Sequence, residues 1–171
     1  MLRSGNQVRI TAQLIQASAD KHIWAQSYEG EIRDTLVLQN LARAGADLAG
    51  VVTFHAALNT PRPEDAKNIM GKVLVLHGAD DPLAPDAEVL TFEKEMRDAN
   101  VDWQLISYGN TVHSFTNWDL DSDHSKPAAY SAKSDARSWA AMRTFFEEIF
   151  ADRNPRLFGS NLLFPFSMPL F

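Results

Sequence analysis

The 171-residue chain has no cysteine. That absence excludes a disulfide framework, a thiolate metal site and a cysteine nucleophile. No apolar run approaches the ~18 residues of a membrane-spanning helix, and Met1 to Gln7 lacks the apolar centre of a secretory signal. The expectation is a cytoplasmic protein with no membrane partner. Basic residues are also scarce. Sixteen Lys and Arg against 22 Asp and Glu give a formal charge of −6. Phosphate backbones are gripped by clustered basic side chains, and no such cluster is present, so nucleic acid is not expected as a partner. Internal repeats and low-complexity tracts are missing as well. What remains is 45% hydrophobic and 22% charged, the composition of an ordinary globular chain of about one domain. A mean hydropathy of −0.24 agrees with this.

Three stretches differ in pattern. In Gln7-Val8-Arg9-Ile10-Thr11-Ala12-Gln13-Leu14 the apolar residues take the even positions, a period of two. With a turn at Ala19-Asp20-Lys21 and a return strand from Ile23 to Tyr28, residues 7–28 read as an antiparallel hairpin. A short helix over 34–44 follows, with Asp34 as N-cap, Leu38, Leu41 and Ala42 on one face, and Gly45 as its stop.

The middle stretch changes grammar. Leu48 to Phe54 and Lys72 to His77 are near-continuous apolar runs, suited to strands covered on both faces of a parallel sheet. Asp86 to Ala99 reads as a helix with acidic residues in its first turn, Val89, Phe92 and Met96 on one face, and Asn100 as a left-handed stop. Val101 to Ser107 is a third strand, whose alternation predicts one more exposed face. Ser134 to Phe150 is a long helix with Trp139, Met142, Phe146, Ile149 and Phe150 as its apolar stripe. The order predicts an α/β fold. Its core is a partial sheet of about three parallel strands with flanking helices, joined to the N-terminal hairpin and helix. Residues 152–171 are apolar and broken by Pro155, Pro165 and Pro169. Such a tail is expected to pack on its own subunit or on a neighbour.

Two loops carry the candidate chemistry. Gly78-Ala79-Asp80-Asp81-Pro82-Leu83-Ala84-Pro85 follows the second strand, and Tyr108-Gly109-Asn110-Thr111-Val112-His113-Ser114-Phe115 follows the third. Open α/β sheets place ligands beyond the carboxyl ends of their strands. An acid after one strand and a histidine after the next form the back half of a hydrolase triad, in which nucleophile, acid and histidine come in that chain order. The carboxylate fixes the imidazole tautomer and the imidazole moves the proton.

These segments carry a family resemblance. Gly45-Ala46-Asp47-Leu48-Ala49-Gly50-Val51-Val52-Thr53-Phe54-His55, Lys72 to Pro85, Trp103 to Phe115, and Ser138-Trp139-Ala140-Ala141-Met142 leading to Phe150 resemble the carboxyl-terminal half of the dienelactone hydrolase family of α/β hydrolases. The resemblance implies hydrolysis of a small ester or lactone without metal or cofactor. It puts the acid at Asp81, the residue before Pro-x-x-Pro, and the general base at His113. The chain departs from the family in two respects: it contains no Gly-x-[Cys/Ser]-x-Gly nucleophile elbow, and it lacks the first strands of the sheet with their oxyanion-hole loop. Where the elbow belongs it reads Tyr28-Glu29-Gly30-Glu31-Ile32-Arg33-Asp34. Residues 7–41, through Val8 to Ile15, His22 to Tyr28 and Leu38-Gln39, resemble part of a TolB-like domain. The two resemblances meet near Leu41-Ala42-Arg43. The expected organisation is therefore 1–44, 45–151 and an apolar tail over 152–171.

Other residues read more plainly. Ser18-Ala19-Asp20-Lys21 matches a Ser-x-x-Lys pattern but falls in a hairpin turn rather than at a helix start. Asp119 to His124 resembles a calcium loop without its Gly and Glu, and reads as a solvated loop. His55 and His77 read as hydrogen-bonded histidines near the core, with a place at the mouth of the site as the alternative for His55, and Trp24, Trp103 and Trp139 read as core aromatics. Trp118 is the tryptophan nearest His113 in sequence. The strand at Leu48 to Phe54 is expected to have a bare edge, and bare apolar edges recruit partners, which predicts a homo-oligomer.

Overall fold

The computed structural model describes residues 7–16, 21–31 and 36–153, with side chains from residue 39 to residue 151. The turn expected around Ala19 and Asp20, the cap at Asp34 and the tail beyond Arg153 lie outside these residues. The described residues contain two separate sheets. In the first, β1 (Gln7–Gln16) and β2 (Lys21–Glu31) pair antiparallel, Gln7 opposite Glu31 and Leu14 opposite Trp24, with a register shift between Leu14 and Ile15. The hairpin thus runs beyond Tyr28 to Glu31.

The second sheet is parallel throughout, in the order β3 (Gly50–Phe54), β4 (Lys72–Gly78), β5 (Trp103–Tyr108). Thr53 stands opposite Val75, and Val75 opposite Leu105. This is the expected α/β architecture. The helices are α1 (Leu36–Arg43), α2 (Asp86–Asp98) and α3 (Ala132–Arg153), with a 3-10 helix at Pro63–Asn68 between β3 and β4. No helix among the described residues is long and apolar enough to cross a membrane.

The central strand explains its own sequence. Val73 and Val75 point to one side, where they pack with Phe92 and Met96 of α2. Leu74 and Leu76 point to the other, against Phe145 and Ile149 of α3. A strand with both faces covered needs an unbroken apolar run, and each fully buried Val or Leu contributes about 1.5–3 kcal/mol. β5 is covered more than its alternation predicted. Trp103 and Leu105 join the α2 side, while Ile106 and Tyr108 join the α3 side, leaving Gln104 and Ser107 exposed.

The helix boundaries follow local chemistry. α2 carries Asp86 and Glu88 in its first turn, where the helix dipole favours anions, and Asn100 (φ 54°) provides the left-handed stop. α3 starts two residues before Ser134. Ser131 caps it: its Oγ accepts from the Ser134 N–H at 3.4 Å.

The predicted stripe of α3 requires a correction at Trp139, which is 57% exposed. The buried line runs instead through Ser134, Ser138, Phe145 and Ile149. Trp139 is one residue, about 100° around the helix, away from Ser138. The smaller serine fits the tight contact because its hydroxyl is satisfied locally, by the Asp135 carbonyl at 2.9 Å.

Candidate active site

Three consecutive parallel strands end on the same side of the sheet, and each delivers one polar group there. β4 leads into Asp81, β5 into His113, and β3 into His55. Asp81 Oδ2 accepts from His113 Nδ1 at 2.8 Å. Asp81 Oδ1 accepts from the Leu83 N–H, also at 2.8 Å, so both carboxylate oxygens are engaged. Asp80 is exposed and plays no part in this pair. The Asp81 side chain is fully buried and that of His113 is 17% exposed, so the pair is anchored at one end and reachable at the other.

Electrostatics fixes the tautomer. Burial pushes the Asp81 carboxyl up, but the His113 hydrogen bond and charge, with the Leu83 N–H, outweigh it and hold the group below its ordinary range. An ionised carboxylate only accepts hydrogen bonds. His113 Nδ1 therefore carries the proton, and Nε2 is left as the basic nitrogen. No hydroxyl among the described residues lies within hydrogen-bond distance of that Nε2. Ser114, next in the chain, takes up a left-handed turn (φ 59°) in which its carbonyl accepts from the Asn117 N–H at 2.8 Å.

The two loops are stitched together by backbone. The Ala79 N–H donates to the Tyr108 carbonyl at 2.9 Å and the Asp80 N–H to the Thr111 carbonyl at 3.0 Å. Gly78 permits the approach. A Cβ there would lie 2.5 Å from the Thr111 oxygen and 2.8 Å from the Val112 oxygen, which no real side-chain carbon tolerates. Behind the loop, buried Thr111 Oγ1 pairs with Ser134 Oγ at 2.7 Å, tying it to the first turn of α3. His113 itself donates through its N–H to the Pro127 carbonyl and accepts from the Ala129 N–H at 3.1 Å.

His55, read from the sequence as a histidine near the core, is in the site. Its ring meets His113 edge to face at 5.2 Å and Phe115 at 5.4 Å, and its Nε2 pairs with Thr116 Oγ1 at 2.9 Å. Burial, with help from His113, pushes its pKa down to about 4, so the ring is neutral at neutral pH. A signal was present: His55 stands at the carboxyl end of a parallel strand, the position that singled out the other two loops. His77, at the end of β4, is within electrostatic reach of Asp81 and His113. It is buried with its Nδ1 unpartnered among the described residues, and burial lowers its pKa. Trp118 is exposed, its indole N–H donating to Asp135 at 2.8 Å. In the 119–124 loop, Asp121 holds Lys126, and Asp123 accepts from the Ser125 N–H and hydroxyl.

The chain is similar to known proteins. The model of the dienelactone hydrolase family matches residues 34–150. An uncharacterised Caenorhabditis elegans protein is 32% identical over 106 residues, covering 61% of this chain and 66% of its own length. The solved structure m3DLH is 46% identical over 68% of this chain and 48% of its own, with a TM-score of 0.63. A dienelactone hydrolase-like promiscuous phosphotriesterase from metagenomic libraries is 43% identical over 67% of this chain and 48% of its own, with a TM-score of 0.58. The chain thus spans about half the length of these two structures.

Proposed function

The chain belongs to the dienelactone hydrolase family, and from that premise we propose a hydrolase-like protein acting on small carboxylic esters or lactones, with His113 as base and Asp81 as its orienting partner. The observation that carries this reading is the 2.8 Å Asp81–His113 hydrogen bond at the carboxyl ends of adjacent parallel strands. In the reaction, an attacking O–H adds to the acyl carbon and its proton passes to His113 Nε2. The imidazolium is stabilised by Asp81, and the same proton then leaves with the departing alkoxide. The attacking oxygen belongs to water, because the sequence has no nucleophile elbow; a hydroxyl brought by a second subunit would instead take up the acyl group as an ester, which a water activated by the same His113 Nε2 then cleaves to release the acid. Where an elbow would fall, Tyr28 to Glu31 runs as strand β2, paired with Gln7 to Ile10.

The test is turnover of a short-chain aryl ester, a lactone and an aryl phosphotriester by the wild type and by His113→Ala. The phosphotriester is included because of the activity named for the 43%-identical relative. General-base loss predicts a rate at least about 100-fold lower in the variant. Equal rates overturn the reading.

The missing elbow and the pairing of β3 on one side alone among the described residues favour a second reading, a self-associating module that keeps the hydrolase loops without their chemistry. In either reading we propose a cytoplasmic homo-oligomer. The hairpin of β1 and β2 is proposed as a TolB-like element, since the family match starts only at residue 34.

A further inference from the structure

His113 is held by its own Cβ and, at Nδ1, by Asp81, which sets the mean plane of the imidazole. A ring held this way still librates, and libration moves Nε2, the atom farthest along the ring from both holds. A packing contact on the ring limits that motion, and the structure provides one. The edge-to-face packing of His55 on His113, at 5.2 Å and 69°, braces the ring from the β3 side. His55 is itself tied down twice, by Thr116 Oγ1 at 2.9 Å and by the edge-to-face contact with Phe115 at 84°. Both anchors lie on the loop that carries His113, so His55 ties the end of β3 to that loop.

The backbone is turned to make this contact. His55 has φ 39°, in the left-handed region that is unfavourable for a residue with a Cβ. Its N–H still donates to the Leu76 carbonyl at 2.9 Å, so the β4 pairing survives the turn while the side chain leaves the strand's alternation. A backbone held in this conformation beside the reacting group is where functional strain is found. Neutrality completes the arrangement: an uncharged His55 adds no repulsion when His113 takes up a proton.

We propose that His55 is a positioning residue for His113, anchored by Thr116, which limits the libration of the imidazole whose Nδ1 is held by Asp81. The proposal rests on the reading of His113 as the base. Its test does not need turnover. The Nδ1–H proton of His113 is followed by NMR on the full chain, together with its rate of exchange with water. His55→Phe keeps a ring against His113 but loses the Thr116 hydrogen bond, so its exchange rate matches that of Thr116→Val. His55→Ala removes the brace, and Thr116→Val loosens it. Each speeds exchange by about three- to tenfold, the scale of an aromatic edge contact. The amide resonances of Val112 and Phe115 serve as the folding control. Unchanged exchange in both His55→Ala and Thr116→Val, with those amides in place, overturns the proposal. A braced His113 with no ester turnover supports the proposal and counts against the hydrolase reading alone.

Discussion

Charge at single residues sets how this fold responds to pH. Asp81 keeps its proton off more readily in the folded chain than when unfolded. Its contribution to stability is therefore complete above the ordinary carboxylate range and is lost as pH falls through the lowered folded value. His55 and His77 act in the same direction. Both have folded pKa values below the ordinary 6.5, His55 at about 4. Between those values the unfolded chain binds protons that the folded chain does not, so stability falls as pH drops from 7 toward 4. The expected outcome is a urea midpoint that declines steadily over that interval, with a shallower decline in His55→Phe, which cannot titrate. A variant slope equal to the wild-type slope would contradict the assigned direction for His55. The sequence made Asp81 and His113 legible because each stands in a polar loop after an apolar strand. His55 stands in the same kind of place, yet its partner Thr116 is 61 positions away. Contacts at that separation are made by the sheet and leave no local pattern.

Elements were legible where burial is symmetric and obscure where it is not. β4 is apolar along its length because two helices cover it, so its pattern could be read directly. The pattern of α3 predicts Trp139 facing inward, because large aromatics usually lie inside. Its buried line instead uses Ser134 and Ser138, whose hydroxyls are satisfied within the helix and its neighbouring loop. The pair that locks α1 to α2 was not legible at all. Arg43, at the end of α1, is buried against Glu95 of α2 through two guanidinium nitrogens, the second at 3.3 Å. Burial lowers the Arg43 pKa, the cost of holding a cation there. Removing one partner strands the other. Arg43→Met is expected to cost about 3–5 kcal/mol, or roughly 10 °C in Tm for a chain of this size. The double variant Arg43→Met with Glu95→Met restores most of the loss, because two apolar groups need no partner. Thermal melts of the three proteins check this, and a double variant as unstable as the single one would show that the ion pair stabilises the fold in its own right.

For the whole molecule, the open question is what lies beside β3. β4 is bonded on both sides, whereas β3 is bonded to β4 alone among the described residues. The backbone shows which groups are left over. The His55 N–H donates inward to Leu76, and the Ala49 carbonyl accepts from Lys72. With a period of two, the polar groups of residues 49, 51, 53 and 55 face β4, and those of Val52 and Phe54 face outward. Val51 and Thr53 are buried, so this edge belongs to an apolar strand without the lysine or proline that blunts natural edges. If a second copy pairs here, the two substitutions next to each other must behave differently. Val52→Pro removes an outward donor, so it is expected to dissociate the assembly while keeping the far-UV circular dichroism of the fold. Thr53→Pro removes a donor to β4 and is expected to unfold the sheet. Sedimentation velocity over a range of concentrations, run beside circular dichroism, separates the two. An assembly that survives Val52→Pro intact would move the interface away from β3, and a wild type that sediments as a monomer at every concentration would remove the interface altogether.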